Sequence, residues 1–176
     1  MIKSIYFKET VVSELNRLAN KVDLPNDFRT FYSEYYGEPT VHQLKPESMS
    51  GVGLGFDING KFYLFSSMLS KEEFTEEIAH NLEGSIKKLG LLKFANNEFS
   101  EGGYYLGIGE ENKGVYFYMN YLDWAEKDEI VLLAQSFSEF INKLRPVGIT
   151  FSERSTEYQY LREEFNENGE LIKLIT

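Results

Sequence analysis

His42 and His80 are the only histidines in the 176 residues, and there is no cysteine. Thiolate nucleophiles, disulfides and cysteine-ligated zinc are excluded, and imidazole chemistry has two candidates at most. His80 has Glu76, Glu77 and Glu83 within one helical turn of it. Those four side chains could hold a metal, but a charged, solvated helix face is the plainer account. His42 has no visible partner in the sequence. Glu110 and Glu111, with Glu101, are a candidate carboxylate pair for acid–base work. Nothing in the sequence sets the ~5–9.5 Å separation that glycosidases need, and hairpin tips favour polar residues anyway. Gly51-Val52-Gly53-Leu54-Gly55 suggests a phosphate loop and fails on spacing. Phe56 follows directly, and the segment runs into a hairpin, not into a helix whose N-terminus would hold phosphate. No catalytic pattern stands out, and no cofactor and no metal are expected.

The remaining conspicuous residues suit recognition. Trp124, the only tryptophan, stands among acids in Asp123-Trp124-Ala125-Glu126. It is either a core-edge anchor or an interface hot spot, because tryptophan and tyrosine dominate hot spots. Tyr36 and Glu38, either side of Gly37, pose the same choice. Lys and Arg number 18 against 28 Asp and Glu, a net charge of -10, with most of the acidic excess after residue 100. That balance argues against nucleic acid or an anionic membrane as partner, since phosphate binding is driven by Lys and Arg. It agrees either with a well-solvated surface or with a face that steers a basic protein into contact. No aliphatic run approaches the ~20 residues that span a bilayer, and residues 1–10 lack the apolar stretch of a secretory signal. A cytoplasmic location is expected.

The elements that must position these residues are legible from periodicity and turn chemistry. Val11, Leu15, Leu18 and Val22 make the stripe of a first helix over about 10–22. Pro25 fits the first turn of a second, with Phe28, Phe31, Tyr32 and Tyr35 as its aromatic face and Gly37 as its stop. Asn59-Gly60 between two apolar runs predicts a hairpin over 51–65, because both turn positions need positive φ. Ser70-Lys71-Glu72-Glu73 reads as a capping box for a third helix carrying Phe74, Ile78, Leu82, Ile86 and Leu89, closed by Gly90. Residues 102–109 and 114–121 read as a second hairpin, whose second arm is apolar on both faces and so a central strand. Asp128 is placed to cap a fourth helix, lined by Ile130, Leu133, Phe137, Phe140, Ile141 and Leu144 and ended by Pro146. In the tail, Asn166-Glu167-Asn168-Gly169 before Leu171–Ile175 favours a hairpin over roughly 157–176. The expected fold is α+β: a mostly antiparallel sheet with about four helices packed around it. One domain over 1–146 and a C-terminal extension over 147–176, packed on it, are expected.

Three segments in this order resemble the SMI1/KNR4 family, also called the SUKH superfamily. Leu24-Pro25-Asn26-Asp27-Phe28 with Phe31, Tyr32 and Tyr36-Gly37-Glu38 is similar to its "LP-x-D-[YF]-x-x-F…N-G-G" opening. Lys93–Asn97, Gly103–Gly107 and Gly114–Tyr118 look like its central strands. Ala134-Gln135-Ser136-Phe137-Ser138-Glu139-Phe140-Ile141 is similar to its closing "A-x-S-F-x-E-F-L" helix. Two departures stand out: Tyr36-Gly37-Glu38 replaces Asn-Gly-Gly, and the usual Gly-Asp gives way to Glu101-Gly102 or Gly102-Gly103. The resemblance implies a non-enzymatic bacterial immunity protein that blocks a cognate toxin domain, often a nuclease or deaminase. An acidic inhibitor of a cationic nuclease is electrostatically sensible. On that reading Tyr36, Glu38, Glu101, Glu110, Glu111, Asp123, Trp124 and Glu126 are the expected partner-binding residues. A general protein-interaction module of the same fold is the alternative.

Overall fold

The structure is a computed structural model that describes residues 4–7, 22–35, 39–81, 89–97, 102–109, 112–119 and 129–176. The first helix expected over 10–22 lies outside these residues, apart from Val22. Among the described residues there are three α-helices and two main antiparallel sheets. Helix α1 is Asn26–Glu34, preceded by Pro25 in extended conformation. Phe28, Phe31 and Tyr32 are its buried face, as their spacing of three and one demands. The helix ends before Gly37, because Tyr35 already has extended backbone while its N–H still reaches Phe31 O.

Strands β1 (Gly51–Ile58) and β2 (Lys61–Phe65) form the expected hairpin, in the register Leu54↔Phe65 to Ile58↔Lys61. Asn59 and Gly60 have φ of 54° and 83°, the two positive values that this tight turn requires. The glycine run of β1 is strand backbone. A Cβ on Gly55 would lie 2.7 Å from Tyr63 O, so there the glycine serves close strand approach. Beyond β2 the chain crosses at Ser66 to a second sheet, which it enters as β3 (Ser67–Met68).

Helix α2 (Lys71–Asn81) starts with the expected capping box. Glu73 N–H donates to Ser70 Oγ at 3.1 Å, and Ser70 N–H donates to Glu73 Oε2 at 2.7 Å. Those two bonds satisfy two of the donors a helix start leaves open. The Ser70 backbone N–H, then the Ser70 hydroxyl, hold the Glu73 carboxyl below the usual range. Strands β4 (Leu91–Asn96), β5 (Gly103–Gly107), β6 (Gly114–Met119) and β7 (Glu129–Ala134) complete the sheet in the order β3-β4-β5-β6-β7. Strand β6 is an interior strand, as its two apolar faces predict.

The expected fourth helix is corrected by this arrangement. Ile130 and Leu133 belong to β7, and only residues Phe137–Lys143 form a helix, α3. A spacing of three fits a helix stripe, but in so short an apolar run it does not exclude a strand. Pairing with β6 decides for the strand, and Ser136 restarts the chain as a helix N-cap.

The remaining strands are β8 (Arg145–Phe151), β9 (Thr156–Tyr160), β10 (Arg162–Phe165) and β11 (Leu171–Ile175). Strand β8 pairs with β1 and β9 with β8, giving a four-stranded sheet in the order β2-β1-β8-β9. Strands β10 and β11 pair with each other. Leu161 and Leu174 are buried in the same core as the helices, and the Tyr6 hydroxyl donates to Glu163 on β10.

That core is mostly aromatic. Phe140 stands at its centre, with ring centroids 5.7 Å from Phe56 and Phe65, 5.9 Å from Phe94 and 5.5 Å from Tyr104. Phe28 meets Phe137 edge-on at 4.9 Å and Phe74 at 5.7 Å, which draws α1 and α2 onto the same cluster. Edge-to-face pairs of this kind add ~0.5–1.5 kcal/mol each beyond area burial. The two sheets are also joined by one buried hydrogen bond, Tyr104 O–H to Leu64 O at 2.7 Å. Burial drives that phenol well above its ordinary pKa, so it stays a donor at any physiological pH.

Candidate protein-binding face

The segments that look like motifs spend their polar groups on the fold. Asp27 accepts from Phe28 N–H at 2.9 Å through Oδ1, and from Ser138 N–H at 2.8 Å through Oδ2. One carboxylate thus answers open donors at the starts of both α1 and α3, where helix dipoles favour negative charge. Arg29 Nε donates to Leu24 O at 3.0 Å, and its guanidinium lies 3.6 Å from exposed Asp23. At α3, Ser136 Oγ accepts from Glu139 N–H at 3.1 Å while Glu139 Oε2 accepts from Gln135 N–H at 2.8 Å. Lys143 closes on Glu139 Oε1 at 2.8 Å and on Leu133 O at 2.8 Å. The Lys143 bond, then the Gln135 N–H, hold the Glu139 carboxyl below the usual range. These motifs border a cleft of about 410 Å³ that also takes in Gly107, Gly109 and Lys113.

A sequence model of the SMI1/KNR4 family (SUKH-1) matches residues 13–143, which include all of these capping positions. The chain belongs to the SMI1/KNR4 family. Neither a curated protein nor a solved structure shows a significant match to it. The SMI1/KNR4 match stops at the last residue of α3, so β8 to β11 lie beyond it.

All eight expected partner-binding residues of this SMI1/KNR4 chain lie outside the described residues: Tyr36, Glu38, Glu101, Glu110, Glu111, Asp123, Trp124 and Glu126. The strand ends that flank them are described. Asn96, Gly103, Tyr118 and Ile130 stand side by side in the ladder at one end of the five-stranded sheet. Gly107 and Gly114 pair at the opposite end.

Between those ends lies a face that the motifs do not mark. Lys93, Tyr105, Tyr116 and Leu132 form one row across β4, β5, β6 and β7, and Tyr118 and Ile130 form the next. These side chains point away from the core, because their neighbours Phe94, Tyr104, Leu106, Val115 and Phe117 fill it. Ile130 is 45% exposed and Leu132 42%. Tyr105 and Tyr118 meet edge-on at 5.5 Å, and Tyr116 O–H donates to Lys113 O at 3.2 Å. Partial burial, then the Glu77 carboxylate of α2, push the Tyr105 phenol up to about 12. A row of rigid phenols flanked by bare aliphatic side chains offers apolar contact area with polar tips, the chemistry of protein recognition.

Sequence reasoning missed this face because it took Val115–Met119 only as apolar on both faces, the mark of a central strand. The signal was there in part: the outward places are Tyr116 and Tyr118, which carry hydroxyls, and the inward ones are Val115 and Phe117. Among the described residues no group of three or more His, Asp or Glu stands close enough to hold a metal ion, and His80 is an exposed side chain near the end of α2.

Proposed function

We propose that this SMI1/KNR4 protein is a non-enzymatic, cytoplasmic immunity protein that binds and neutralises a cognate toxin domain, a basic nuclease or deaminase. The observation that carries the reading is the outward face of the five-stranded sheet. It exposes Ile130 and Leu132 beside three tyrosines on a chain of net charge -10. Apolar centre and aromatic anchors supply affinity, and the surplus acid steers a cationic partner and sits where its phosphates would bind. Tyr36, Glu38, Glu101, Glu110, Glu111, Asp123, Trp124 and Glu126 are proposed as contacts at the rim of this face. Among the described residues no helix is long and apolar enough to cross a membrane. Residues 1–146 are proposed as the family domain and 147–176 as an extension packed on it, a packing supported by Leu161 and Leu174 joining the main core.

Co-expression with the product of the adjacent reading frame tests the function. The expected result is a stoichiometric complex on size exclusion, rescue of growth from that product's toxicity, and affinity that falls as salt rises. No complex and no toxicity would replace this reading with a general protein-interaction module. An affinity indifferent to salt would remove the acidic steering.

A further inference from the structure

Strand β8 begins at Arg145, opposite Gly55, so Phe56, Asp57 and Ile58 of β1 have no strand beside them on that edge among the described residues. One of their open groups is answered by a side chain: Asp57 N–H donates to the Tyr160 hydroxyl of β9 at 2.8 Å. The end of α3 and β9 close this gap into a cleft of about 510 Å³. Its apolar lining is Phe56, Ile58 and Leu161, of which Phe56 and Leu161 are buried in the core.

The polar groups on the rim are sorted by what they already hold. Lys143 is committed to Glu139 and Leu133 O. Arg145 uses Nη1 alone, on Asn142 O at 2.6 Å and Leu144 O at 3.0 Å, which satisfies carbonyls at the end of α3. Its Nε and Nη2 make no hydrogen bond among the described residues, and these two are one edge of the guanidinium fork. The Tyr160 oxygen accepts from Asp57, so its proton is left to donate outward. An open guanidinium edge and a phenol proton over an apolar floor are the donors that a carboxylate takes in bidentate fashion. Local charge sets the limit. Asp57 lines the same cleft, the Tyr6 hydroxyl that binds Glu163 lies within electrostatic reach of Arg145, and Glu139 pairs with Lys143, so the site suits one negative charge and disfavours a dianionic phosphate.

We propose that this cleft binds a small monocarboxylate carried on an apolar ring or chain, with the carboxylate on Arg145 and the Tyr160 hydroxyl. The site goes beyond toxin binding and does not depend on it. Arg145, Tyr160 and Leu161 all lie past residue 143, where the family match ends.

The test is a titration of the full chain with phenylacetate, followed by amide resonances in two-dimensional NMR. Phenylacetamide serves as the neutral isostere and phenyl phosphate as the dianion. Phenylacetate is expected to give saturable shifts at Phe56–Ile58 and Leu161, with phenylacetamide and phenyl phosphate about tenfold weaker or worse, the worth of one charge-assisted bond. Arg145→Gln should lose affinity by a similar factor. Because Arg145 also holds the end of α3, Tyr160→Phe is the second variant. It should keep the thermal midpoint within a few degrees and bind ~3–10-fold more weakly, the worth of one ordinary hydrogen bond. Shifts that do not saturate, an amide that binds as well as the acid, or undiminished binding by both variants would each overturn the proposal.

Discussion

On the outer face of the four-stranded sheet, Phe62 of β2 and Tyr158 of β9 stack at 5.1 Å, and Phe62 meets Tyr160 at 5.4 Å. Beneath them Leu64, Val147 and Ile149 form a second, smaller core. On the outer face of the five-stranded sheet, Tyr105 and Tyr118 touch, but Ile130 and Leu132 on β7 stay more than two-fifths exposed. The two faces carry the same kinds of residue. What separates them is β1, whose Gly51, Gly53 and Gly55 lie on the same side as Val147 and Ile149 in the ladder. Without side chains in that row, rings from the two outermost strands reach across and cover the aliphatic groups. On β6 the corresponding row is Tyr116 and Tyr118, which fill their own space and leave β7 uncovered. Aromatic content alone therefore does not mark an interface; the side chain available to lie over each aliphatic group does.

The comparison breaks first at Leu64. It is 5% exposed under Phe62, so Leu64→Ala should cost about 2–5 kcal/mol in urea unfolding. A loss below about 1 kcal/mol would mean that the covered face is not a core at all. Leu132→Glu should do the reverse, changing stability by about 0.5 kcal/mol or less while weakening the proposed complex with a toxin domain by about 2 kcal/mol, some thirtyfold in Kd. Unchanged affinity in a calorimetric titration would move the interface off this face. Ser136→Ala touches neither face and removes the N-cap of α3. It should cost about 1 kcal/mol and leave partner affinity as it was, which makes it the control for a general loss of structure.

The smallest effect is a titration. The folded Tyr105 phenol is raised to about 12 from its ordinary 10.0, chiefly by partial burial. A raised pKa means the neutral form is favoured in the folded state. The contribution is complete below pH 10 and is lost as pH climbs towards 12. Absorbance at phenolate wavelengths should show a step near pH 12 that Tyr105→Phe abolishes. A bound partner on the five-stranded face should push that step higher, whereas a partner bound elsewhere leaves it in place.

Elements set by local chemistry were legible in full. Asn59-Gly60 needs two positive φ values whatever surrounds it, and Ser70 with Glu73 closes its hydrogen bonds within four residues. Leu24–Phe28 and Ala134–Ile141 were also recognisable, although their roles as caps and core appear only when Asp27 is seen to reach Ser138. The stretch Ile130–Ala134 was misread because an apolar run of five suits a strand or a helix, and the partner that decides, β6, is distant along the chain. For the site, sequence reasoning gathered acids, Tyr36 and the one tryptophan, all on segments outside the described residues. It passed over Tyr105, Tyr116, Tyr118 and Leu132, because a strand pattern cannot say which of its two faces has something packed on it.

By itself the sequence determined the family, the α+β class, the hairpin turn at Asn59-Gly60, the capping box at Ser70 and the acidic charge, all of which depend on composition or on residues within a few positions of one another. Only the tertiary structure decided that β8 and β9 extend the β1–β2 sheet and that rings of Phe62 and Tyr158 cover one outer face. It alone decided that the tyrosine face stands open and that Arg145 and Tyr160 meet at a gap in β1. Each of these turns on which distant strand lies alongside which, and strand pairing is a long-range choice that no local spacing encodes.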